Sequence, residues 1–237
     1  MRLFTEEVSA LKARIKFRKY GVMKFIGHLD IMRFFQKVMR RADVPIAFTG
    51  GFSPHMIMSF ANPLGVGLTS DGEYFDIELA EEIDMQAAVA RMNEVMVEGI
   101  DVVNMVPISD SKKDTGMSIV AAADYLSSLK TGTFPSDWKE RANMFLNQSE
   151  IKTVKKTKKS EKEVDIKPMI YQFETRDESV YMRVATGSVE NLKPEVVMNA
   201  FCEYLGMNME EISFAHHRLD VFARENDEFV SLDKVTR

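Results

Sequence analysis

The chain is poor in the residues on which covalent and metal chemistry most often depends. Among 237 residues it has one cysteine, Cys202, one tryptophan and four histidines. A single cysteine excludes a disulfide within the chain and any zinc or iron–sulfur site built only from this chain's cysteines. Cys202 lies in the apolar run VVMNAFCEYLG, which predicts a helix core where a buried thiol acts as a small hydrophobic group.

Long hydrophobic runs and nucleotide-binding motifs are also lacking. No run approaches the roughly 18 apolar residues of a membrane-spanning helix, and the first residues lack the apolar core of a secretory signal. We therefore predict a cytoplasmic protein with no membrane contact. The GxxxxGK[ST] motif does not occur, and GVG at residues 65–67 lacks the strand and helix of a dinucleotide site.

Acidic residues exceed basic ones by 36 to 31, but the charge is unevenly distributed along the chain. Residues 14–62 hold nine Lys and Arg against two Asp, a net charge of +7. Residues 71–101 hold ten Asp and Glu against one Arg, a net charge of −9. The pattern favours a basic surface that attracts anionic partners, unless the charges only solvate exposed faces and pair across a sheet.

The first half of the chain predicts the element order βαββαβ. ARIKFRKYG alternates as a strand, and the extended runs MIMSFA and EYFDIELA precede a helix with Asp84 as its N-cap and a final strand, DVVNMVPI. The earlier helix, HLDIMRFFQKVMRRAD, has an apolar side opposite four cations, Arg33, Lys37, Arg40 and Arg41. This order is that of a ferredoxin-like unit, in which both helices cover one face of an antiparallel sheet.

The second half repeats the order loosely, with a lysine-rich extended run after its first helix. We therefore predict the α+β class, with two tandem ferredoxin-like (βαββαβ) units and antiparallel sheets. The predicted boundaries are an N-terminal extension at 1–13, units at 14–110 and 116–224, and a frayed tail at 225–237. The lysine-rich run, KTVKKTKKSEKEVDIK, has seven lysines against three acids. It fits either a solvated hairpin edge or a second phosphate-binding strip.

Three side chains are candidates for catalysis. His28 and Asp30 lie where the first strand passes into the first helix, and His55 follows Pro54 in a glycine-containing turn. Asp30 has an alternative role in capping the helix, and His28 an alternative role as a satisfied structural histidine. A metal site made from the three matches no recognised spacing, so we predict no metal and no cofactor.

Most of the chain resembles the bacterial radical-SAM-linked protein family, a domain of unknown function; the match is densest over residues 14–79, and the later VDIKPMI also fits. Its members occur as separate proteins or fused to a radical SAM enzyme, frequently encoded near ribonuclease G. The matching positions of its first motif are Gly27, His28, Leu29, Asp30, Arg33, Arg40 and Arg41, and those of its second are Gly51, Phe52, Pro54, His55, Ser59, Phe60 and Ala61. The family usually has serine where Gly27 stands, so a hydroxyl cap is lost here. The resemblance implies a radical SAM enzyme as partner. This chain can only be an accessory to such an enzyme, because its one cysteine cannot supply the three-cysteine cluster motif.

Three hypotheses follow for the function. In the leading one, the protein is an accessory module that presents structured RNA, such as transfer or ribosomal RNA, to the modifying partner. The RNA-binding residues would be Arg33, Lys37, Arg40, Arg41, Gly51, Phe52, Pro54, His55 and Ser59. A second hypothesis is a metal-independent RNA-processing enzyme, with His28 as general base, Asp30 orienting it and His55 as acid. A third is a protein–protein adaptor that docks its acidic residues 71–101 on a basic partner.

Overall fold

The computed structural model describes residues 11–156 and 161–235, which form alternating strands and helices. The helices are α1 (His28–Arg41), α2 (Met85–Glu94), α3 (Gly116–Ile119), α4 (Trp138–Leu146) and α5 (Pro194–Tyr204). The strands of the first half are β1 (Leu11–Lys19), β2 (Met58–Ala61), β3 (Thr69–Leu79) and β4 (Ile100–Ile108). Those of the second half are β5 (Val120–Thr131), β6 (Lys152–Lys156), β7 (Glu161–Asp165), β8 (Ile170–Arg176), β9 (Ser179–Ala185), β10 (Ser213–Glu225) and β11 (Glu228–Ser231). Within these ranges, no helix is long and apolar enough to cross a membrane.

Most of the strands belong to one sheet that runs through both halves. Its order is β4-β1-β3-β10-β5-β9-β8, with β2 also pairing with β3 and β11 with β10. The halves meet where β3 and β10 pair in parallel, through Thr69 with His217 and Ser70 with Arg218. The other pairs of the sheet are antiparallel. The lysine-rich insertion contributes β6 and β7, which pair with each other as a separate two-stranded sheet, and its residues 157–160 lie outside the described part.

The predicted α+β class is confirmed, whereas the tandem ferredoxin-like units are not. The strands follow the same spatial order in the two halves. The order is β4-β1-β3-β2 in the first half and β10-β5-β9-β8 in the second. However, the prediction placed a separate antiparallel sheet in each half, and the structure joins them in one sheet through a parallel pair. Sequence periodicity identifies strands but carries no signal for which edges meet.

Two hydrophobic cores form on this sheet, one in each half. In the first, α1 lies beside α2 and buries Ile31, Phe35, Val38 and Met39. The helix α2 begins at the predicted N-cap, since Asp84 Oδ1 accepts hydrogen bonds from the Gln86 and Ala87 N–H groups at 2.9 and 3.0 Å. In the second, α4 and α5 pack on β5, β8 and β9 through aromatic and branched side chains.

The predicted frayed tail is wrong for most of its length. Asn226 and Asp227 have φ of 47° and 67°, the left-handed conformation of a two-residue hairpin turn, and β11 returns along β10. Leu232 then packs into the second core, and this burial offsets the entropy of ordering the segment. At the other terminus β1 begins at Leu11, inside the predicted extension, whose residues 1–10 lie outside the described part of the chain.

Candidate functional site

His28 is the first residue of α1 and is partly covered by an aromatic side chain. Its ring packs edge-on against Phe60, with the ring centroids 5.1 Å apart. Partial burial lowers the pKa of His28 below its ordinary value of 6.5. The positive end of the helix dipole disfavours a cation in the same way, so this imidazole is largely neutral at pH 7.

Asp30 makes its contact within α1. Its Oδ1 lies 3.4 Å from Nη1 of Arg33, one turn further along, and both side chains are exposed. A carboxylate in the first turn of a helix is favoured by the dipole, whereas an exposed ion pair of this kind contributes little to stability. These contacts suit a residue that helps α1 to begin.

The cations of α1 form an exposed basic face. Arg33, Lys37, Arg40 and Arg41 are exposed on the side opposite the buried apolar stripe. Arg33 contacts Asp30, while Lys37, Arg40 and Arg41 form no ion pair with any residue in the described ranges. We call this set the α1 basic face.

Much of the remaining positive charge of the first half is neutralised across the sheet. Because β1 and β3 are antiparallel neighbours, cations of β1 lie opposite acids of β3. The ion pairs are Arg14 with Asp76 at 2.8 Å, Lys12 with Glu78 at 3.5 Å and Arg18 with Asp71 at 3.7 Å. The opposite net charges of residues 14–62 and 71–101 are therefore partly an internal pairing, whereas Lys37, Arg40 and Arg41 of the α1 basic face have no ion pair in the described ranges.

The turn between residues 49 and 55 is closed by its own end residues. The His55 N–H donates to Thr49 Oγ1 at 3.1 Å, and Nδ1 of His55 lies 3.1 Å from the same oxygen. Gly51 has φ of 98°, a left-handed conformation that glycine adopts without strain. Phe52 and Pro54 are exposed beyond it, and Ser59 is exposed on β2. The turn thus presents the predicted binding residues to solvent.

The three candidate catalytic residues have separate partners. His28 contacts Phe60, Asp30 contacts Arg33, and His55 contacts Thr49. In residues 11–156 and 161–235, no hydrogen bond or ion pair joins two of the three. The small cavity beside His28 has a volume of about 10 Å³ and is lined by neither Asp30 nor His55. A space of that size holds about one water molecule, so it is no substrate pocket in this conformation.

A buried group of charged side chains lies beneath His28 and was not expected from the sequence. Lys19 and Glu73 are each 3% exposed and Arg218 is 1% exposed. Arg218 donates from Nε to Glu73 Oε1 at 2.8 Å and from Nη2 to the same carboxylate and to the Asn62 carbonyl, while Lys19 Nζ donates to the Ile26 carbonyl at 3.0 Å. Burial lowers the pKa of Lys19, and the charge of Glu73 partly opposes that shift.

The sequence did contain a signal for this group. Glu73 occupies a position in the same alternation as Phe75 and Ile77, and these inward-facing positions are otherwise apolar. A charged residue in an inward-facing register is unusual, because burying it costs several kcal/mol unless it is paired. Its partner Arg218 lies 145 positions away, so the partner could not be identified from the sequence.

A larger cleft of about 320 Å³ opens where the two halves meet. One wall is the segment 62–68, which connects β2 to β3 in the first half. The other walls belong to the second half: Tyr125 of β5, His216 and Arg218 of β10, and the start of α5. Pro63 and Leu64 separate this cleft from the small cavity beside His28, since they line both.

His216 is one of the buried titratable side chains that line the cleft. It is 9% exposed, and its Nδ1 lies 2.8 Å from Ser127 Oγ. Burial lowers the pKa of His216 to about 4, so the ring is neutral at pH 7. Every fully buried side-chain nitrogen or oxygen in the described ranges has a partner. Nε2 of His216 has no partner among those residues, so this nitrogen is not fully buried, and the residue lines the cleft.

The fold and these sites define an α+β protein with a basic helix face and a cleft between its halves. In the described ranges, no group of three His, Cys, Asp or Glu side chains is placed to hold a metal ion. Residues 12–194 match the model of the family described as uncharacterized proteins conserved in bacteria, DUF2344. The match covers well over half of the chain, which therefore belongs to that family. No curated protein matches the chain.

Proposed function

We propose that this protein is a cytoplasmic accessory module that binds structured RNA and presents it to a modifying enzyme. The observation that carries the proposal is the α1 basic face. Lys37, Arg40 and Arg41 are exposed and form no ion pair within the described ranges, so a partner need not displace an internal carboxylate to reach them. Cations of this kind bind phosphates and release counterions, which favours association with RNA.

Exposed aromatic side chains before and after α1 in the chain support RNA, rather than another polyanion, as the proposed ligand. Phe25 is 65% exposed just before α1, with Lys24 Nζ 5.1 Å from its ring centroid. Phe52 is fully exposed at the tip of the 49–55 turn. Single-stranded RNA is bound by cations that hold phosphates together with aromatic rings on which unpaired bases stack.

The proposed partner is a radical SAM enzyme, which rests on the family resemblance. This chain's one cysteine, Cys202, is buried in α5, and burial raises the pKa of its thiol to about 12. A role as accessory fits that inert thiol. The equal strand orders of the two halves support the further proposal that the fold consists of two ferredoxin-like units joined through β3 and β10.

Filter binding of total bacterial RNA across a salt series tests the proposal. The double variant Arg40→Ala/Arg41→Ala removes two phosphate contacts, and the slope of log affinity against log salt should fall by about 1.4 to 1.8. Lys112→Ala/Lys113→Ala is the matched control, because these neighbouring lysines are also exposed. Absence of binding at low salt would end the proposal, as would equal slopes for the two double variants.

Incubation of the purified protein with RNA, with the products separated by gel electrophoresis, tests the enzyme hypothesis. RNA that is cleaved by the purified protein, with cleavage lost in His28→Ala and kept in Arg40→Ala, would favour catalysis over presentation. The adaptor hypothesis receives less support, because Asp71, Glu73, Asp76 and Glu78 of the acidic segment already pair with cations of the chain. A stable complex with the radical SAM enzyme in the absence of RNA would revive it.

A further inference from the structure

The cleft between the two halves has the size and shape of a small-molecule site. Its volume of about 320 Å³ lies at the lower end of the range of about 300–1,000 Å³ typical of ligand pockets. It lies where β3 and β10 pair through two residue pairs, between the segment 62–68 and the start of α5. The Asn62 carbonyl at the start of that segment is held by Arg218 Nη2 at 2.9 Å, which fixes one wall.

One end of the cleft is suited to an anion. The helix α5 begins there, with Lys193 as the N-cap residue but no side-chain hydrogen bond to cap it. Pro194 has no N–H, and the Val196 N–H is bound to the Lys193 carbonyl at 3.1 Å. The Glu195 N–H is therefore left for a ligand at the positive end of an eleven-residue helix, beside the exposed ammonium group of Lys193.

The base of the cleft offers hydrogen bonds to a neutral polar group. His216 is nine-tenths buried and lines the cleft, its Nδ1 is bound to Ser127, and its Nε2 has no partner among the described residues. A ring nitrogen without a protein partner is free to form a hydrogen bond with a ligand or water that enters the cleft. This observation is independent of the helix terminus, and it concerns the same cavity.

The wall opposite α5 is apolar. Pro63, Leu64, Val66 and Leu68 line it on the segment 62–68, and such side chains pack against the face of a planar ring. The Glu195 carboxylate is the acid on the lining and lies at the α5 end. A carboxylate there accepts hydrogen bonds from hydroxyl groups, as ribose-binding acids do.

We propose that the cleft binds one nucleotide, with its phosphate at Lys193 and the Glu195 N–H, its ribose at the Glu195 carboxylate, and its base between the apolar wall and His216. The nucleotide has two possible sources, a free nucleoside monophosphate or one unstacked nucleotide of an RNA strand. This site is separate from the α1 basic face and does not require it.

Isothermal titration calorimetry of the full chain tests the proposal. The probes are the adenosine, guanosine, cytidine and uridine 5′-monophosphates, inorganic phosphate, and a mixed-sequence single-stranded RNA of eight nucleotides. We expect a nucleotide probe to bind with a stoichiometry of one. Lys193→Ala, which removes the ammonium group, and Val66→Trp, which fills the cleft mouth from an exposed position, should each weaken that binding at least tenfold.

Lys130→Ala is the matched control for Lys193→Ala, because Lys130 is also exposed but lies at the end of β5, outside the cleft lining. It should change the affinity less than twofold, and thermal unfolding should show that all three variants are folded. Binding of a free monophosphate identifies a free nucleotide as the ligand, and cleft-dependent binding of the octanucleotide alone identifies RNA.

Other results would overturn the proposal. These are no binding of any nucleotide probe, binding that is unaltered in Lys193→Ala and Val66→Trp, or equal affinity for inorganic phosphate and all four monophosphates. Arg40→Ala/Arg41→Ala keeps the two proposals apart, since it should weaken RNA binding through α1 without altering the affinity for a monophosphate. Failure of one site can therefore be observed while the other still binds.

Discussion

Replacing Glu73 by glutamine should cost the fold far more than the loss of one ordinary ion pair. Glu73 is the buried anion between two buried cations, Arg218 and Lys19. Glutamine keeps the shape and one acceptor oxygen but removes the charge, which leaves two cations without a counterion in the protein interior. Removing one partner of a buried ion pair costs about 3–5 kcal/mol, a large fraction of the roughly 5–15 kcal/mol by which domains are stable.

Urea unfolding at pH 7, followed by circular dichroism, measures this loss as a lower midpoint at constant m-value. Glu178→Gln is the matched control, since it makes the same chemical change in the exposed pair with Lys139 at 3.2 Å. That variant should remain within about 0.5 kcal/mol of the parent. A loss below about 1 kcal/mol for Glu73→Gln, or equal losses for the two variants, would refute the reasoning.

The pH dependence of the Glu73→Gln variant provides a second check. Burial lowers the pKa of Lys19 and Glu73 raises it, so removing Glu73 lowers the pKa of Lys19 further. The unfolded chain then binds more protons than the folded one between that lowered pKa and the ordinary value of 10.5, and stability rises with pH across this window. The gap in unfolding free energy between the variant and the parent should therefore narrow from pH 7 to pH 9.5. A gap that stays constant or widens contradicts the placement of Lys19 beside Glu73.

Three further predictions concern single contacts. Burial lowers the pKa of His216 to about 4, so the unfolded state binds more protons than the folded state between pH 4 and 6.5. The free energy of unfolding should therefore fall by up to about 3 kcal/mol as pH drops through that window. Urea unfolding of the parent should show this pH dependence, and His216→Gln should lack most of it. Asp84→Ala should cost about 1 kcal/mol of unfolding free energy because it removes the cap of α2, whereas Asp137→Ala, at an N-cap of α4 that makes no side-chain hydrogen bond, should cost less. Gly116→Ala should lower the melting temperature, because a Cβ there would lie 2.7 Å from the Cβ of Ala61, and overpacking costs typically about 1–3 kcal/mol. Gly50→Ala, whose added Cβ would meet open space, should leave the melting temperature unchanged.

Each of these has a clear contrary result. Equal acid sensitivity of the parent and His216→Gln would show that other groups control the loss. Equal costs for the two cap variants would show that the Asp84 hydrogen bonds are not stabilising, and a Gly116→Ala variant as stable as Gly50→Ala would show that the backbone at residue 116 relaxes freely.

The regular elements near the candidate site could be predicted because their signals are local. The alternation in ARIKFRKYG and the helical spacing after His28 correspond to β1 and α1 within two residues at each end. The opposition of cations and apolar residues on α1 likewise follows from the helical period alone, so the sequence was enough to define the α1 basic face. The hairpin turn at Asn226 and Asp227 also has a local signal in the sequence, although the prediction for this segment is a frayed tail.

The α+β class, the main elements and the exposed cations of α1 follow from the sequence alone, since each depends on residues a few positions apart. The folded chain was needed to show that β3 meets β10, that Glu73 is buried against Arg218, and that the 62–68 segment faces the start of α5 across a cleft. The physical reason is distance along the chain: these contacts join residues more than 100 positions apart. Periodicity fixes which face of a strand is buried, and only the folded chain fixes which strand lies beside it.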